Sequence, residues 1–341
     1  MFYIHQSSCI SHQPTFTGVD LQNLQPSVNN QLPAIEPKYI NIPLGQLRRM
    51  GRALRMGVGT GITLLEKHKA DGILIATSNG GIEDSITFLN QIVDYNEGRL
   101  TPTHFVQSTF NAIAGLLGMI THNTGYNATH VHRGLAFENV ALDVTMLLRE
   151  NPGHIYLIGG VDEISVRNYR MEAMAGWYKK EPISNTELYA SETEGALPGE
   201  GAAMFLVSNN AESATAKLAD LKLLHTADEN LVANQFAEFV RDREIDLLLS
   251  GESGDSRFKR YYTRCEQAVS ENTAIARYKH FTGEFQTASA LALWFSCWLL
   301  QNQTLPEHCI KRSGSKTAFN RIALYNNYQG VQHSFMLVES V

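Results

Sequence analysis

The chain has 341 residues, of which 43% are hydrophobic and 18% are charged. This length is typical of about two domains with large apolar cores. The high hydrophobic and low charged fractions exclude disordered, coiled-coil and collagen-like proteins. The formal net charge of −6 gives no overall electrostatic signature for binding nucleic acid or an anionic membrane surface.

The sequence contains no candidate for a membrane span or an export signal. Its longest nearly apolar stretch, residues 288–300, is shorter than the roughly 18 to 20 residues that cross a bilayer, and it predicts a buried helix. The N-terminus lacks a basic segment before an apolar run. The four cysteines are far apart and form no CxxC pair, which argues against disulfides and structural zinc. We expect a cytoplasmic protein with reduced thiols, no cofactor and no bound metal.

Short apolar runs that end in glycine or small polar residues alternate with segments of helical character. The runs predict buried strands at residues 72–76, 154–158, 202–207 and 245–249. The helical segments cover residues 44–69, 105–120, 134–149, 231–243 and 285–300. This alternation favours a layered α/β fold.

Two features of the sequence indicate an internal duplication. Strands that run into glycine-rich turns, GILIATSNGG and IDLLLSGESGD, occupy comparable places in the two parts of the chain, and a largely apolar helix follows each at a distance. A helix that is apolar on most faces must be covered on most sides, so we expect both helices inside a multilayer core. The polar segment 208–215 is the candidate boundary, which divides the chain into halves of residues 1–210 and 211–341. Residues 166–194 are expected to run over the surface.

Four segments, in their order, carry a resemblance to a known family. They are ATHVHRGLAFE at residues 128–138, IYLIGGVDE at 155–163, GALPGEGAAMFLV at 195–207 and KHFTGEFQTASA at 279–290. From about residue 45 to the C-terminus the chain resembles the β-ketoacyl synthases of the thiolase superfamily. The resemblance implies a five-layer α/β/α/β/α fold that is internally duplicated and forms a dimer.

Valine occupies the position of the family's nucleophile. In an active ketosynthase a cysteine precedes the buried helix, whose N-terminus supports the thiolate that attacks an acyl thioester. Matching Gly134 to the glycine that follows the nucleophile puts Val131 at the cysteine position, and no cysteine occurs between Cys9 and Cys265. Valine cannot form a thioester.

The family's two histidines, which promote decarboxylation of a malonyl-type donor, are also missing. One should follow a strand in the second half, but no histidine occurs between His225 and His280. In the other segment the family's lysine is present as Lys279, but Glu284 stands at the histidine position, where a carboxylate would repel an anionic donor. The gating loop near the C-terminus, residues 325–331, keeps one glycine.

This joint loss resembles the chain-length-factor type of subunit, which lacks the nucleophile and pairs with an active ketosynthase. The patterns AT-x-VHRG-x-x-FE and GE-x-x-TAS also look like those of ketosynthase-like proteins of aryl polyene and flexirubin pathways. We therefore expect a catalytically degenerate subunit that forms a heterodimer with an active ketosynthase, or a homodimer, and acts with an acyl carrier protein. Each buried CH₂ is worth roughly 0.8 kcal/mol, so a tunnel wall placed one two-carbon unit deeper would change the preferred chain length.

Two alternatives stay open at this point. A stand-alone acyltransferase or hydrolase of the same fold could use His130, His132, Lys279 or Glu284. A purely structural partner would instead bind an acyl chain or enclose an occluded cavity. Neither nucleic acid nor membrane insertion is expected.

The polar residues of the possible pocket also have structural interpretations. His130 and His132 share a strand face, and we expect them to bond to backbone or to a partner chain rather than to join His122 around a metal. Arg133 lies where the helix macrodipole disfavours a cation, so it is expected to pair with a carboxylate, either Glu138 or Glu284.

Charge is concentrated in two further places. Lys279 and Glu284 are expected to form a structural ion pair rather than a catalytic one. Between Lys38 and Lys69 there are seven basic residues and one acidic residue. That segment is expected to form a solvated helix face or to contact carboxylates, with docking of an acidic carrier protein as the alternative.

Overall fold

The computed structural model describes residues 1–341, and its strands form one sheet of eleven. The strands are β1 (Phe2–Ile10), β2 (Gly72–Thr77), β3 (Tyr126–Val131), β4 (Tyr156–Asp162), β5 (Gly201–Ser208), β6 (Ala216–His225), β7 (Leu247–Ser250), β8 (Ala274–Arg277), β9 (Ile310–Arg312), β10 (Arg321–Tyr328) and β11 (Gln332–Glu339).

The helices connect these strands or cover the sheet. They are α1 (Leu44–Leu47), α2 (Arg52–Leu65), α3 (Ile82–Asp94), α4 (Pro102–Gln107), α5 (Ala112–Ile120), α6 (Ala136–Glu150), α7 (Val166–Met174), α8 (Glu229–Val240), α9 (Lys259–Glu266), α10 (Lys279–Thr282), α11 (Ala288–Asn302) and a 3₁₀ turn at Glu307–Cys309. None of them is long and apolar enough to cross a bilayer.

The strand order repeats within the sheet and confirms the predicted duplication. The first half reads β3-β2-β4-β5-β1, and the second half reads β8-β7-β10-β11-β6 with β9 added at the edge. If β9, which pairs antiparallel with β8, is left aside, the three strands of each half that lie farthest from the junction are parallel to one another. The other pairings within each half are antiparallel. Strands β1 and β6 join the halves through an antiparallel pairing of residues 2–4 with 216–218. The division at residue 210 remains a prediction.

Three hydrophobic clusters separate the layers. The largest contains α6 and α11 together with residues from strands of both halves, so these two helices form the middle layer. A second cluster packs α2 and α5 on the outer face of the first half, and a third packs α8 and α9 on the outer face of the second half. The arrangement is the expected α/β/α/β/α order of five layers.

The predicted strands and helices are present, with two corrections. The predicted helix 44–69 is divided into α1 and α2, because the chain is extended at Gly51, where φ is −63° and ψ is 168°. The predicted helix 105–120 is divided into α4 and α5 by residues 108–111. The surface excursion 166–194 begins with the short helix α7.

The two apolar helices differ in burial, which corrects the expectation that both are covered on most sides. Helix α11 is buried over nearly its whole length. Helix α6 instead leaves Leu142 37% exposed and Met146 55% exposed, one turn apart on its surface. Helix α6 therefore keeps an apolar face that this chain does not cover.

Candidate functional site

Val131 ends β3, which is the edge strand of the sheet and pairs only with β2. The side chain of Val131 is 46% exposed. Helix α6 begins five residues later, at Ala136. A branched hydrocarbon therefore stands at the surface between the edge strand and the middle helix, and it offers neither a nucleophile nor a proton.

The turn between β3 and α6 packs against the hairpin formed by β10 and β11. The backbone N–H of Gly134 donates to Oε1 of Gln332 over 2.9 Å. A Cβ atom on Gly134 would lie 2.1 Å from Cβ of Tyr328, so only glycine fits against this tyrosine. Residues 131–134 are thus held next to Tyr328, which lines the cavity described below.

Lys279 and Glu284 form the expected ion pair, with Nζ and Oε2 2.6 Å apart. The lysine side chain is 1% exposed and the glutamate side chain is 16% exposed. Burial lowers the pKa of Lys279 and raises the pKa of Glu284, whereas the attraction between the two charges acts in the opposite direction on each. The pair is a buried contact that takes the charge of each partner out of the cavity.

The backbone around Glu284 is held by the glycine-rich segment that leads into β5. Its N–H donates to the carbonyl of Leu197 over 2.7 Å, and its carbonyl accepts from the N–H of Gly199 over 3.1 Å. A Cβ on Gly199 would lie 2.0 Å from the carbonyl oxygen of Thr282. This close packing explains why the two segments that resemble the family's scaffold carry glycine.

A small cavity lies between these segments, and carboxylates dominate its ionisable lining. Glu172, Asp255 and Glu284 contribute to its wall, together with Tyr178 and Tyr328. No histidine, lysine or cysteine lines it. Its volume of about 20 Å³ is close to that of a single water probe, so this chain alone encloses no acyl tunnel there.

The acidic lining is fixed by hydrogen bonds. Glu172 accepts from the hydroxyl of Tyr178 and from Nε2 of Gln286, the latter over 2.9 Å. The same amide nitrogen donates to the hydroxyl of Tyr328 over 3.0 Å. Burial raises the pKa of Glu172 above its ordinary value. Sequence reasoning missed Glu172 and Asp255, since nothing in their local sequence places them beside Glu284.

The position after β7, where the resemblance calls for a histidine, is too crowded for a side chain. A Cβ on Gly251 would lie 2.9 Å from Oδ1 of Asn326 and from the carbonyl of Tyr325, and 3.1 Å from the hydroxyl of Tyr278. That hydroxyl donates to the same Oδ1 over 3.1 Å. The space that an imidazole would need is filled by this hydrogen-bonded pair.

His130 on β3 does not bond as predicted, whereas for His132, which follows the strand, a bond to a partner chain stays a prediction. Nε2 of His130 lies 2.8 Å from Oδ2 of Asp143 on α6, so its partner is a side chain of the same protein. Nδ1 of His132 lies 3.4 Å from Nε2 of Gln332, and burial lowers the pKa of this histidine. Neither ring contacts Lys279 or Glu284, so the four proposed residues do not form one catalytic group.

The predicted pairing of Arg133 with a carboxylate is wrong. Arg133 is exposed and forms no ion pair, because Glu284 is bound to Lys279 and Glu138 lies in the core. Its positive charge lowers the pKa of Glu172 and therefore acts on the cavity from outside. His122 forms no cluster of metal-binding groups with His130 and His132.

Glu138 on α6 is a further buried group whose chemistry the sequence did not reveal. It is 0% exposed, and Oε1 accepts from Oγ of Ser334 over 2.7 Å. Oε2 has no hydrogen-bond partner, and the nearby Oγ of Ser289 on α11 has none either. Burial raises the pKa of Glu138 to about 7. The middle layer thus contains a carboxyl group that is protonated below neutral pH.

The basic segment divides into an inner and an outer part. Arg52 is bound to Glu36 over 2.6 Å and to Glu200 over 2.5 Å, while Arg55 is bound to Glu36 over 2.9 Å. The other five basic residues, Lys38, Arg48, Arg49, Lys67 and Lys69, are exposed. The expected contacts to carboxylates are therefore present, and a positive surface remains.

Comparisons with known proteins agree with this geometry. Residues 22–174 match the family model for the N-terminal domain of β-ketoacyl synthases. No curated protein matches the chain in sequence. The solved structure of the ishigamide ketosynthase/chain length factor superposes with a TM-score of 0.79 at 13% identity, covering 100% of this chain and 99% of the other.

Two further solved structures have the same fold over the full length of the chain. A β-ketoacyl synthase from Burkholderia phymatum has a TM-score of 0.78 at 12% identity and covers 100% and 99% of the two chains. A ketosynthase (ApeO) in complex with its chain length factor (ApeC) from Xenorhabdus doucetiae has a TM-score of 0.75 at 11% identity, with 100% and 98% covered.

The chain has the fold of the thiolase-like ketosynthases over its whole length. More particularly, residues 22–174 match the model of the β-ketoacyl synthase N-terminal domain.

Proposed function

We propose that this protein is a non-condensing ketosynthase-like subunit of the chain-length-factor type, which pairs with an active ketosynthase in polyketide or fatty-acid-type biosynthesis. The observation that carries the proposal is Val131 at the nucleophile position. No thiol elsewhere in the chain could serve as the nucleophile instead, because all four cysteines are buried. Burial raises the pKa of Cys9 and of Cys297 to about 12, which leaves both thiols protonated and inert.

The lining of the cavity supports the loss of condensation. Decarboxylation of a malonyl-type donor needs hydrogen-bond donors at the developing oxyanion. Glu172, Asp255 and Glu284 offer acceptors instead, and the lining includes neither an imidazole nor an ammonium group. Lys279 cannot reverse this, since its ammonium is already paired with Glu284.

An uncovered apolar surface supports pairing with another chain. We call it the β3 edge surface, and its members are Phe110, Met119, Tyr126, Val131, Leu142 and Met146, each between 37% and 65% exposed. They come from the edge strand, from the two helices that flank it, α5 and α6, and, in the case of Phe110, from the connection just before α5. Open strand edges with apolar flanks promote association, and nothing in this chain covers the surface.

The partner in this proposal is a cysteine-bearing ketosynthase. A chain without a nucleophile contributes to synthesis only beside one that has it. The similar structure from Xenorhabdus doucetiae is a complex of this kind, between a ketosynthase and its chain length factor. In the proposed heterodimer the acyl tunnel is walled at the interface, since the cavity of this chain alone holds about 20 Å³. The finer proposal, taken from the sequence resemblance, is an aryl polyene or flexirubin pathway.

An acyl carrier protein is the proposed source of the acyl chain. Such carriers are acidic, and the exposed cations at Arg48 and Arg49 would attract one. A further similar structure is that of a type II acyl-carrier protein in complex with its ketosynthase. It has a TM-score of 0.76 at 12% identity and covers 100% of this chain and 99% of the other.

Co-expression with cysteine-bearing ketosynthases from the same genome tests the proposal. We expect a stable 1:1 complex by native mass spectrometry and elongation of carrier-bound acyl chains by the complex. Neither chain alone should give a product of the length that the complex makes. A homodimer that ignores every such ketosynthase would contradict the proposal.

The stand-alone enzyme has less support. His130 is engaged by Asp143, and Lys279 is engaged by Glu284. His132 is the one member of the predicted set that is exposed and carries no ion pair. Hydrolysis or transfer of an acyl thioester by the isolated protein, lost in His132→Ala, would favour this alternative.

A further inference from the structure

A cluster of three metal-ligating side chains lies outside the site described above. His280 on α10, His308 and Cys309 on the 3₁₀ turn have ligand atoms that all lie within 4.8 Å of one another. Nε2 of His280 is 2.6 Å from Nδ1 of His308, and Sγ of Cys309 is 3.5 Å from that same Nδ1. Each of the three therefore contributes a possible donor atom to one compact cluster.

The outer atoms of the two imidazoles are already bound in the way that orients metal ligands. Nε2 of His308 lies 2.7 Å from the carbonyl oxygen of Leu21, so it carries the proton and leaves a lone pair on Nδ1. Nδ1 of His280 lies 3.2 Å from the hydroxyl oxygen of Tyr189, which can accept a hydrogen bond from Nδ1–H in the tautomer that leaves the lone pair on Nε2. Both rings can thus present a lone pair to the centre without losing a proton.

The cluster is largely buried, and one of its members is partly exposed. His280 is 2% exposed and Cys309 is 0% exposed, while His308 is partly exposed. The backbone of His280 is held at both ends, by the hydroxyl of Tyr189 over 3.1 Å and by Nδ2 of Asn185 over 2.9 Å. A cation would enter past His308.

We propose that His280, His308 and Cys309 form a binding site for a thiophilic divalent cation, zinc(II), with water as the fourth ligand. Two nitrogens and one sulfur match the ligand preference of zinc. Binding replaces the contact between the rings, releases one proton from the thiol of Cys309 to solvent and moves the nitrogens from 2.6 Å to roughly 3.3 Å apart. No electron is transferred.

The site also has a consequence for the cavity. His280 directly follows Lys279, and the same short helix α10 leads through Gly283 to Glu284. A metal bound to His280 would tie this helix to the 3₁₀ turn and to the loop that contains Leu21. Metal binding would therefore stabilise the segment that presents the Lys279–Glu284 pair.

Zinc uptake by the full-length chain tests the site. The protein is stripped with a chelator and dialysed against zinc(II), and bound metal is counted by elemental mass spectrometry. We expect one equivalent per chain. In Cys309→Ser and His308→Gln the affinity should fall about 100-fold or more. The matched controls Cys297→Ser and His154→Gln should bind as the unaltered protein does. Failure of the unaltered protein to bind zinc would overturn the proposal. Zinc affinity in Cys309→Ser and His308→Gln equal to that of the unaltered protein would also overturn it.

Cobalt(II) gives a second measurement that needs no substitution. Cobalt in the unaltered protein should show the near-ultraviolet charge-transfer absorption of a thiolate–cobalt bond and the visible bands of four-coordinate geometry. Bound cobalt without the thiolate band would contradict ligation by Cys309 even if the serine variant failed to fold.

Discussion

Lys279 and Glu284 are joined by a 2.6 Å ion pair in which the lysine is almost fully buried. The pair occupies the segment in which an active ketosynthase would carry lysine and histidine. A buried ammonium needs its counter-charge, so the glutamate has a structural reason to be there as well as a chemical effect on the cavity.

Glu284→Gln should destabilise the protein by about 3 kcal/mol, since it leaves the ammonium of Lys279 buried without a charge partner. The measurement is the free energy of unfolding in urea near neutral pH. Replacing both residues, as Lys279→Met with Glu284→Gln, should recover most of the loss. If the single and double variants are equally unstable, the two residues are not coupled in this way.

Val131→Cys should not give a condensing enzyme. The new thiol would stand at the end of β3, but the lining of the cavity would still lack an imidazole to activate a malonyl-type donor. We expect malonyl-dependent elongation by the isolated variant to stay at the level of the unaltered protein. Carrier-bound products can be counted by mass spectrometry, and robust elongation by this single variant would show that the assignment of the missing histidines is wrong.

Val131→Lys should weaken binding to the partner ketosynthase without lowering the melting temperature. The side chain is 46% exposed, so the isolated chain can keep a lysine there in water, whereas an apolar interface cannot. Val166→Lys is a matched control, because Val166 is 60% exposed and belongs to α7, which contributes no residue to the β3 edge surface. Binding measured by calorimetry should fall at least tenfold in the first variant and stay unchanged in the second. Equal binding of the partner by both variants would show that the β3 edge surface is not part of the interface.

Stability should fall as the pH rises from about 4.5 to about 7, in part because of Glu138. Burial raises the pKa of its carboxyl from the ordinary 4.5 to about 7 in the folded protein, so the folded state binds more protons than the unfolded state in this range. The contribution is at most ~3 kcal/mol.

Glu138→Gln should therefore increase the free energy of unfolding, relative to the unaltered protein, by more at pH 8 than at pH 5. Urea unfolding at both pH values measures this difference. The amide also supplies a donor for Oγ of Ser289, which lacks a partner. A residual slope should remain, because burial also raises the pKa of Glu163 to about 7. The exposed control Glu212→Gln should leave the pH dependence as it is. An unchanged slope in Glu138→Gln would mean that this carboxyl is ionised in the folded protein.

Local patterns predicted the parts of the fold whose burial is uniform. Strand β2 and helix α11 are apolar throughout, so periodicity and length were sufficient to place them. Strand β1, with the sequence FYIHQSSCI, lies in the middle of the sheet, but its serines, histidine and glutamine do not distinguish it from a loop. Its polar side chains are accommodated by long-range pairing with β5, which no local pattern encodes.

The candidate site was predictable only where its residues are close in sequence. Lys279 and Glu284 are five positions apart, and their ion pair follows from one segment. Glu172 and Asp255 reach the same cavity from distant segments, so their proximity depends on the whole fold. The pairing of Arg133 was mispredicted because the helix was taken to begin at Gly134. It begins at Ala136, and the turn before it leaves the arginine in solvent.

The most direct measurement is the mass of each subunit after the co-purified complex has been incubated with an acyl-loaded carrier protein. Intact-protein mass spectrometry would then report which chain carries the acyl group. Our account predicts an acyl adduct on the ketosynthase partner and none on this chain, whose position 131 holds only hydrocarbon. An acyl group covalently bound to this chain, at Val131 or its neighbours, would contradict it.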